Sequence, residues 1–140
     1  MRICGIDLKA NNTIVSVIEN NEEDDILVYV DMKIKKIELA NDENQSDVDK
    51  YFESINSFLR SNKIEKVFIK KRAKKGNFAG GAVTFKMEAM IQLNDVCEVS
   101  FVTSQSIGAY TKKNNVELPT SLNKYQEQAY LASIVTLPSL

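Results

Sequence analysis

Between Lys63 and Lys86 the chain carries Lys63, Lys66, Lys70, Lys71, Arg72, Lys74, Lys75 and Lys86 against one acid, Glu65. That is a surplus of seven positive charges over 24 residues. Side chains of this kind neutralise phosphates, so a patch built from them suits nucleic acid, nucleotide phosphates or an acidic partner. Gly76, Gly80 and Gly81 lie in or beside the densest part of the run and would let backbone N–H groups approach a phosphate, although no complete P-loop pattern is present. Phe78 could stack on a base, but an aromatic inside a glycine-containing loop more often anchors the loop by packing. The acids gather elsewhere, in Glu22 to Asp25, Asp31, Glu38, Asp42, Glu43, Asp47, Asp49 and Glu53, so the net charge of −1 hides a strong segregation.

Histidine is absent from all 140 residues, which excludes a histidine metal site, a Ser-His-Asp triad, a Cys-His dyad and an imidazole pH switch. Cys4 and Cys97 are the two cysteines, too few and too far apart for a zinc site. Nothing in the neighbouring sequence would activate either thiol, so both read as buried, reduced filler. No apolar run reaches the ~18 residues of a membrane helix, and the first residues are too polar for a secretory signal. A cytoplasmic protein of one domain, with no membrane partner, is the expectation.

The elements that must position these residues follow from periodicity. Arg2 to Leu8 and Thr13 to Glu19 read as strands around a turn, Lys9 to Asn12, in which Asn11 and Asn12 would accept positive φ. Ile26 to Ile34 alternates Ile26, Val28, Val30, Met32 and Ile34, which predicts that face to be buried. Lys35 to Leu39 either extends that strand or forms a separate edge segment. Ser46 reads as the N-cap of a helix ending near Asn62, with Val48, Phe52, Ile55 and Leu59 on its apolar stripe. Val67 to Ile69 is solidly apolar, as a central strand is. Ala82 to Asn94 reads as a helix, Cys97 to Val102 as a strand, and Ser104 to Tyr110 as a short helix capped by Ser104. Asn123 to Leu137 forms the last helix, with Asn123 and Gln126 in a capping-box relation and Pro138 as its stop.

Three strands joined by short turns make an antiparallel meander, whereas the later strands need helical crossovers and so add in parallel. The expected architecture is an α/β fold with a mixed five-stranded sheet, three antiparallel strands then two parallel, and helices on its faces. A ligand would then meet the sheet beyond the C-terminal ends of its parallel strands, where the basic run begins. There Gly76, Gly80 or Gly81 is expected to take positive φ to bring the bases round.

The opening Ile3-Cys4-Gly5-Ile6-Asp7, followed by a turn and Ile14 to Ile18, resembles the first hairpin of ribonuclease-H-like domains, the RuvC-type Holliday-junction resolvases in particular. With Phe78 to Val83 and Lys86 to Ala89, the whole chain also resembles an uncharacterised bacterial domain-of-unknown-function family assigned that fold. The RuvC-like pattern implies acidic residues that hold two divalent metals, one in the first strand, one at the end of the fourth and a pair in the last helix. Asp7 matches the first position and Glu127 lies near the last pair, so these are the catalytic candidates, with Asp7 the metal ligand and magnesium the possible ion. The fourth-strand position falls on Lys70 or Lys71, which are cations. Glu88 is a further candidate on the helix after the basic run, with pairing to Lys86 or another base as its ordinary role. Gly5-Ile6-Asp7-Leu8 is also similar to the first phosphate loop of actin-like ATPases and sugar kinases, whose sites need two such domains.

Three functions follow in order of expectation. The first is a nucleic-acid-associated domain with a degenerate metal site, using Lys70, Lys71, Arg72, Lys74, Lys75 and Lys86. The second is a divalent-metal phosphodiesterase or nuclease built on Asp7 and Glu127. The third is a non-catalytic interaction module, with a homodimer as one form.

Overall fold

The computed structural model describes residues 1–21, 23–72 and 81–137. Its chain opens on an antiparallel hairpin of β1 (Arg2–Lys9) and β2 (Asn12–Asn21), paired from Arg2↔Glu19 to Lys9↔Asn12. The turn differs from expectation, because Ala10 takes the positive φ, 51°, and not an asparagine. Asn11 is held from outside instead: its amide donates to the Leu39 carbonyl at 3.1 Å, and its own carbonyl accepts from Leu39 N–H at 2.9 Å. β3 (Ile26–Val30) pairs antiparallel with the far half of β2, and β4 (Lys36–Glu38) pairs with its beginning. The segment after β3 is therefore a separate edge strand. β5 (Lys66–Lys70) lies parallel to β1, and β6 (Glu98–Val102) parallel to β5. The five-strand path is β3-β2-β1-β5-β6, with β4 added on β2 to make six strands.

Period-two alternation sends the two sides of β1 into two cores. Cys4, Ile6 and Leu8 face α1 (Gln45–Ser61) and α2 (Ala82–Gln92), where Tyr51, Ile55, Phe58, Leu59, Met87 and Ile91 are buried with Val67 and Ile69. Thr13 and Tyr51 share a buried hydroxyl–hydroxyl hydrogen bond in this layer. The amphipathic stripe read for α1 faces this core, with Ile55 and Leu59 buried and Val48 and Phe52 only partly so, but its N-cap is Asn44 and not Ser46. Asn44 Oδ1 accepts from the N–H groups of Ser46 and Asp47 at 3.0 and 3.2 Å, so the helix is capped two residues earlier than expected. Ile3 points the other way, with Ile18 and Phe68, toward α3 (Ser104–Lys113) and α4 (Glu127–Ile134). Thr103 caps α3 in place of Ser104, accepting from Ser106 N–H at 3.0 Å. No described helix is long and apolar enough to cross a membrane.

The edge strand β3 reverses the expected burial. Ile26 and Val28 are 54% and 50% exposed, while Leu27 and Tyr29 pack on the second core, Tyr29 edge-on to Tyr130 at 6.0 Å. The first-core helices do not reach this end of the sheet, and the helical layer carrying Tyr130 does.

That layer sits unusually close. A Cβ on Gly5 would lie 1.8 Å from the Ala129 carbonyl oxygen and 2.8 Å from Ser133 N, so the backbone of α4 rests directly on β1. Small side chains permit this: Ser16 is the partner of Gly5 on β2, and α4 buries Ala129, Ala132 and Ser133 beside its larger Tyr130 and Ile134. A 3-10 turn, Lys124–Gln126, leads into α4, and Gln126 pins it. Its Oε1 accepts from Asn123 N–H at 3.1 Å, the expected capping contact, and its Nε2 donates to Val15 O at 3.0 Å inside the sheet. Gly5→Ala should consequently destabilise the fold by about 3 kcal/mol, at the upper end of overpacking costs. Ile55→Ala, an ordinary cavity substitution in the first core, should cost about 2–5 kcal/mol. Denaturant unfolding checks both, and a Gly5→Ala protein as stable as the parent would contradict the close packing of α4.

Candidate functional site

Asp7 follows Gly5 on the α4 side of β1, because residues two apart in a strand share a face. The carboxylate is fully buried, and neither oxygen has a hydrogen-bond partner among the described residues. Its neighbours are cations, placed there by the same alternation. Lys9, two residues on along β1, brings Nζ to 3.8 Å from Oδ2. Across the parallel pair, Gly5 lies beside Phe68 and Ile6 beside Ile69, which continues to Lys70 beside Asp7. Arg72, two residues beyond Lys70, brings Nη1 to 3.8 Å from Oδ1. Both contacts are ion pairs at a separation longer than a hydrogen bond. Arg72 Nε is itself buried without a hydrogen-bond partner among the described residues. Three cations therefore face one anion at the C-terminal ends of two parallel strands.

Burial dominates the electrostatics. Removal from water pushes the Asp7 carboxyl above its ordinary range, although Lys70, Lys9 and Arg72 each pull it down. Desolvation lowers the Lys70 ammonium, with Arg72 and Lys9 acting in the same direction and Asp7 opposing them. A group held against its preferred ionisation by a specific set of neighbours is a candidate functional group.

The remaining sequence-predicted residues distribute as follows. Lys71 points to the opposite face from Lys70 and is exposed, its backbone N–H held by Val102 O at 2.8 Å. Lys86 lies on α2, in the layer on the other face of the sheet, and pairs with Asp42 at 3.5 Å. Lys74, Lys75, Gly76, Phe78 and Gly80 lie outside the described residues. Gly81 has φ −69° as the N-cap of α2, so it does not supply the positive φ expected of one of the three glycines. Glu127 begins α4 and is half-buried. Its helix starts at the Asp7 end of β1, since Gln126 reaches Val15 and Val15 pairs with Ile6. Glu88 is half-buried on α2. Cys4 and Cys97 are free thiols, Cys4 buried as expected and Cys97 only partly buried; desolvation pushes both up, with Cys97 adding to the effect on Cys4. Lys9 is the member that sequence reading placed only in a turn. Its signal was the i, i+2 spacing from Asp7, repeated by Lys70 and Arg72 on the neighbouring strand.

A divalent cation does not fit this set. Magnesium prefers several oxygen ligands. Here a single carboxylate is already faced by two ion-paired cations and by Lys70. No group of three Cys, His, Asp or Glu side chains among the described residues could hold a metal. Residues 73–80 add no carboxylate to the region, since their sequence is Ala-Lys-Lys-Gly-Asn-Phe-Ala-Gly.

With this geometry in hand, comparison places the chain. Residues 1–136 match the family described as "Protein of unknown function (DUF3010)", and the chain belongs to that family. Among curated proteins no relative matches it. Its fold is that of RuvC-like resolvases. The Thermus thermophilus RuvC structure superposes with a TM-score of 0.72 at 8% identity, over 96% of this chain and 92% of that one. T. thermophilus RuvC in complex with Holliday junction substrate gives 0.65 at 9% identity, covering 96% and 91%. The Fowlpox virus resolvase with substrate Holliday junction DNA gives 0.53 at 14% identity, covering 96% and 89%. At such identities the likeness is one of fold.

The raised Asp7 carboxyl has a thermodynamic consequence. Between the unfolded carboxylate range, near pH 4, and the higher folded value, the native state binds the extra proton, so stability falls as pH rises through that window. Asp7→Asn mimics the protonated form. It should raise stability at neutral pH, and the advantage should shrink as pH falls through the ordinary carboxylate range, where wild type becomes protonated in both states. Urea unfolding across pH checks this, and a destabilised Asp7→Asn protein at neutral pH would show Asp7 to be a structural ion-pair anchor.

Proposed function

We propose that this member of a family of unknown function is a nucleic-acid-binding domain that contacts backbone phosphates through its own cations and needs no bound metal to do so. The observation that carries the reading is the placement of Lys70 and Arg72 beside Asp7. The RuvC-like pattern asks for a second carboxylate at the Lys70–Lys71 position, and a two-metal clamp cannot be assembled around a cation there. The same substitution makes the site attractive to phosphate. Lys9, Lys70 and Arg72 outnumber Asp7, and Lys71, Lys74 and Lys75 extend the positive charge along the sequence. Asp7 is then the anion that a bound phosphate would replace as the partner of these cations. Lys86 contributes charge to the run, but its bond to Asp42 ties it to the far layer.

Two of the structures sharing this fold hold Holliday junction DNA, which makes branched DNA the first substrate to test beside duplex and single strands. Binding measured in a chelator should be present at low salt and fall steeply as salt rises. Arg72→Ala combined with Lys74→Ala and Lys75→Ala should flatten the salt dependence by up to about three phosphate contacts. Asp7→Asn gives the sharper discrimination. Removing the anion while keeping the cations should tighten binding several-fold. Under the phosphodiesterase alternative, built on Asp7 and Glu127, the same change would abolish a magnesium-dependent cleavage that Glu127→Gln also weakens. Absence of binding at low salt would leave the interaction module as the reading.

A further inference from the structure

Lys36 stands in the same row of the sheet as Asp7, two strands away. Asp7 pairs with Ile14 on β2, and Ile14 pairs with Lys36 on β4. Directly opposed residues share a face, and Ile37, the next residue of β4, is buried in the first core. Lys36 therefore projects from the α4 side, as Asp7 does. There its Nζ sits over the Tyr125 ring, 4.2 Å from the centroid. Tyr125 belongs to the 3-10 turn before α4, and its neighbour Gln126 fixes that turn to the sheet through Val15 O.

The row runs from Lys70 through Asp7 and Ile14 to Lys36, a span of three strand spacings or about 14 Å. Lys9 and Arg72 lie one same-face position farther along their strands, and Lys124 precedes Tyr125 and is exposed. Five cations, Lys9, Lys36, Lys70, Arg72 and Lys124, thus border this end of the sheet against Asp7, Glu127 and Glu38, which pairs with Asn12 on β2. Asp31, toward β3, is already paired with Lys35 at 3.3 Å. Tyr29 and Tyr130 on this side pack edge-on against each other, whereas Tyr125 is half-buried and meets a lysine.

Resting on the phosphate-binding reading of Lys9, Lys70 and Arg72, we propose that the nucleic acid held here is single-stranded, with phosphates along the row from Lys70 to Lys36 and an unpaired base stacked on Tyr125. Lys36 and Tyr125 suit the two halves of one nucleotide. The Lys36 residue is exposed, and its flexible stem lets the ammonium leave the ring for a phosphate. The ring face that it vacates then takes the base, exchanging a cation–π contact for an ion pair and a stack. In a duplex each base is already paired and stacked on its neighbours, so Tyr125 has no open base face to meet. Every base has such a face once unpaired, so base composition should matter little.

Binding of the full chain to oligothymidylate and to a blunt duplex of equal length, at low salt in a chelator, tests the proposal. Wild type should prefer the single strand by about ten-fold, the scale of one base stack. Tyr125→Leu should lose that preference and leave duplex binding unchanged, while Tyr125→Phe should keep it, because the ring carries the stack. Circular dichroism on heating shows whether each variant is folded. Lys36→Ala changes an exposed residue and decides the matter even where Tyr125→Leu does not fold. It should weaken single-strand binding more than duplex binding and lower the single-strand salt slope by about one contact. Equal affinity of wild type for the two forms overturns the single-strand assignment and leaves phosphate binding standing. So does a folded Tyr125→Leu protein that binds like wild type, a Tyr125→Phe protein without the preference, or a Lys36→Ala protein equally weakened toward both. Wild type that binds neither form removes the phosphate-binding reading and this inference with it.

Discussion

A carboxylate without exposure or hydrogen bond cannot stand in a sheet unless charge of the opposite sign is built around it. Asp7 imposes that condition on this fold. β1 supplies Lys9 by alternation, and the parallel partner β5 supplies Lys70 and Arg72 by the same rule, so the positive charge arrives on one face without any loop having to carry it. Burial still outweighs the three cations and pushes the Asp7 carboxyl above its ordinary range. The site is therefore held at an electrostatic cost, a feature that functional sites share with structural ion-pair networks.

The other half of the constraint is geometric. Gly5 lets the backbone of α4 settle onto β1, and Gln126 fixes the entrance of that helix to the sheet through Val15. Together they bring the first turn of α4, with Glu127, to the Asp7 end of the strand. The fold shared with RuvC-like resolvases thus survives with its layers in place, at 8% to 14% identity, while the side chains beside Asp7 are cationic. A shared backbone arrangement does not by itself carry a shared chemistry.

The order of elements, the mixed sheet and the α1 stripe were legible because each rests on a long periodic pattern, such as Val48, Ile55 and Leu59 or the apolar Val67 to Ile69. What was not legible depended on neighbours distant in sequence. The exposed side of β3 was decided by which helix layer reaches it, through Tyr29 and Tyr130. The positive φ fell on Ala10 because Leu39 holds Asn11 from outside the turn. Asn44 and Thr103 took cap positions one or two residues before the serines that matched the same chemistry, a shift that local composition does not resolve. For the site, Asp7 was legible as a strand-end carboxylate and Lys70 as a cation in an acid's place. Their meeting with Lys9 and Arg72 needed the parallel register of β1 and β5.

The central claim is that the chain's own cations, and no divalent metal, balance the buried Asp7 carboxylate. Carbon-13 NMR titration of the Asp7 side-chain carboxyl reads this directly, with and without millimolar magnesium. The account predicts a carboxyl that titrates above the ordinary aspartate range and whose signal magnesium leaves unmoved. A carboxyl titrating below that range, or one whose signal and pKa shift when magnesium is added, would contradict it.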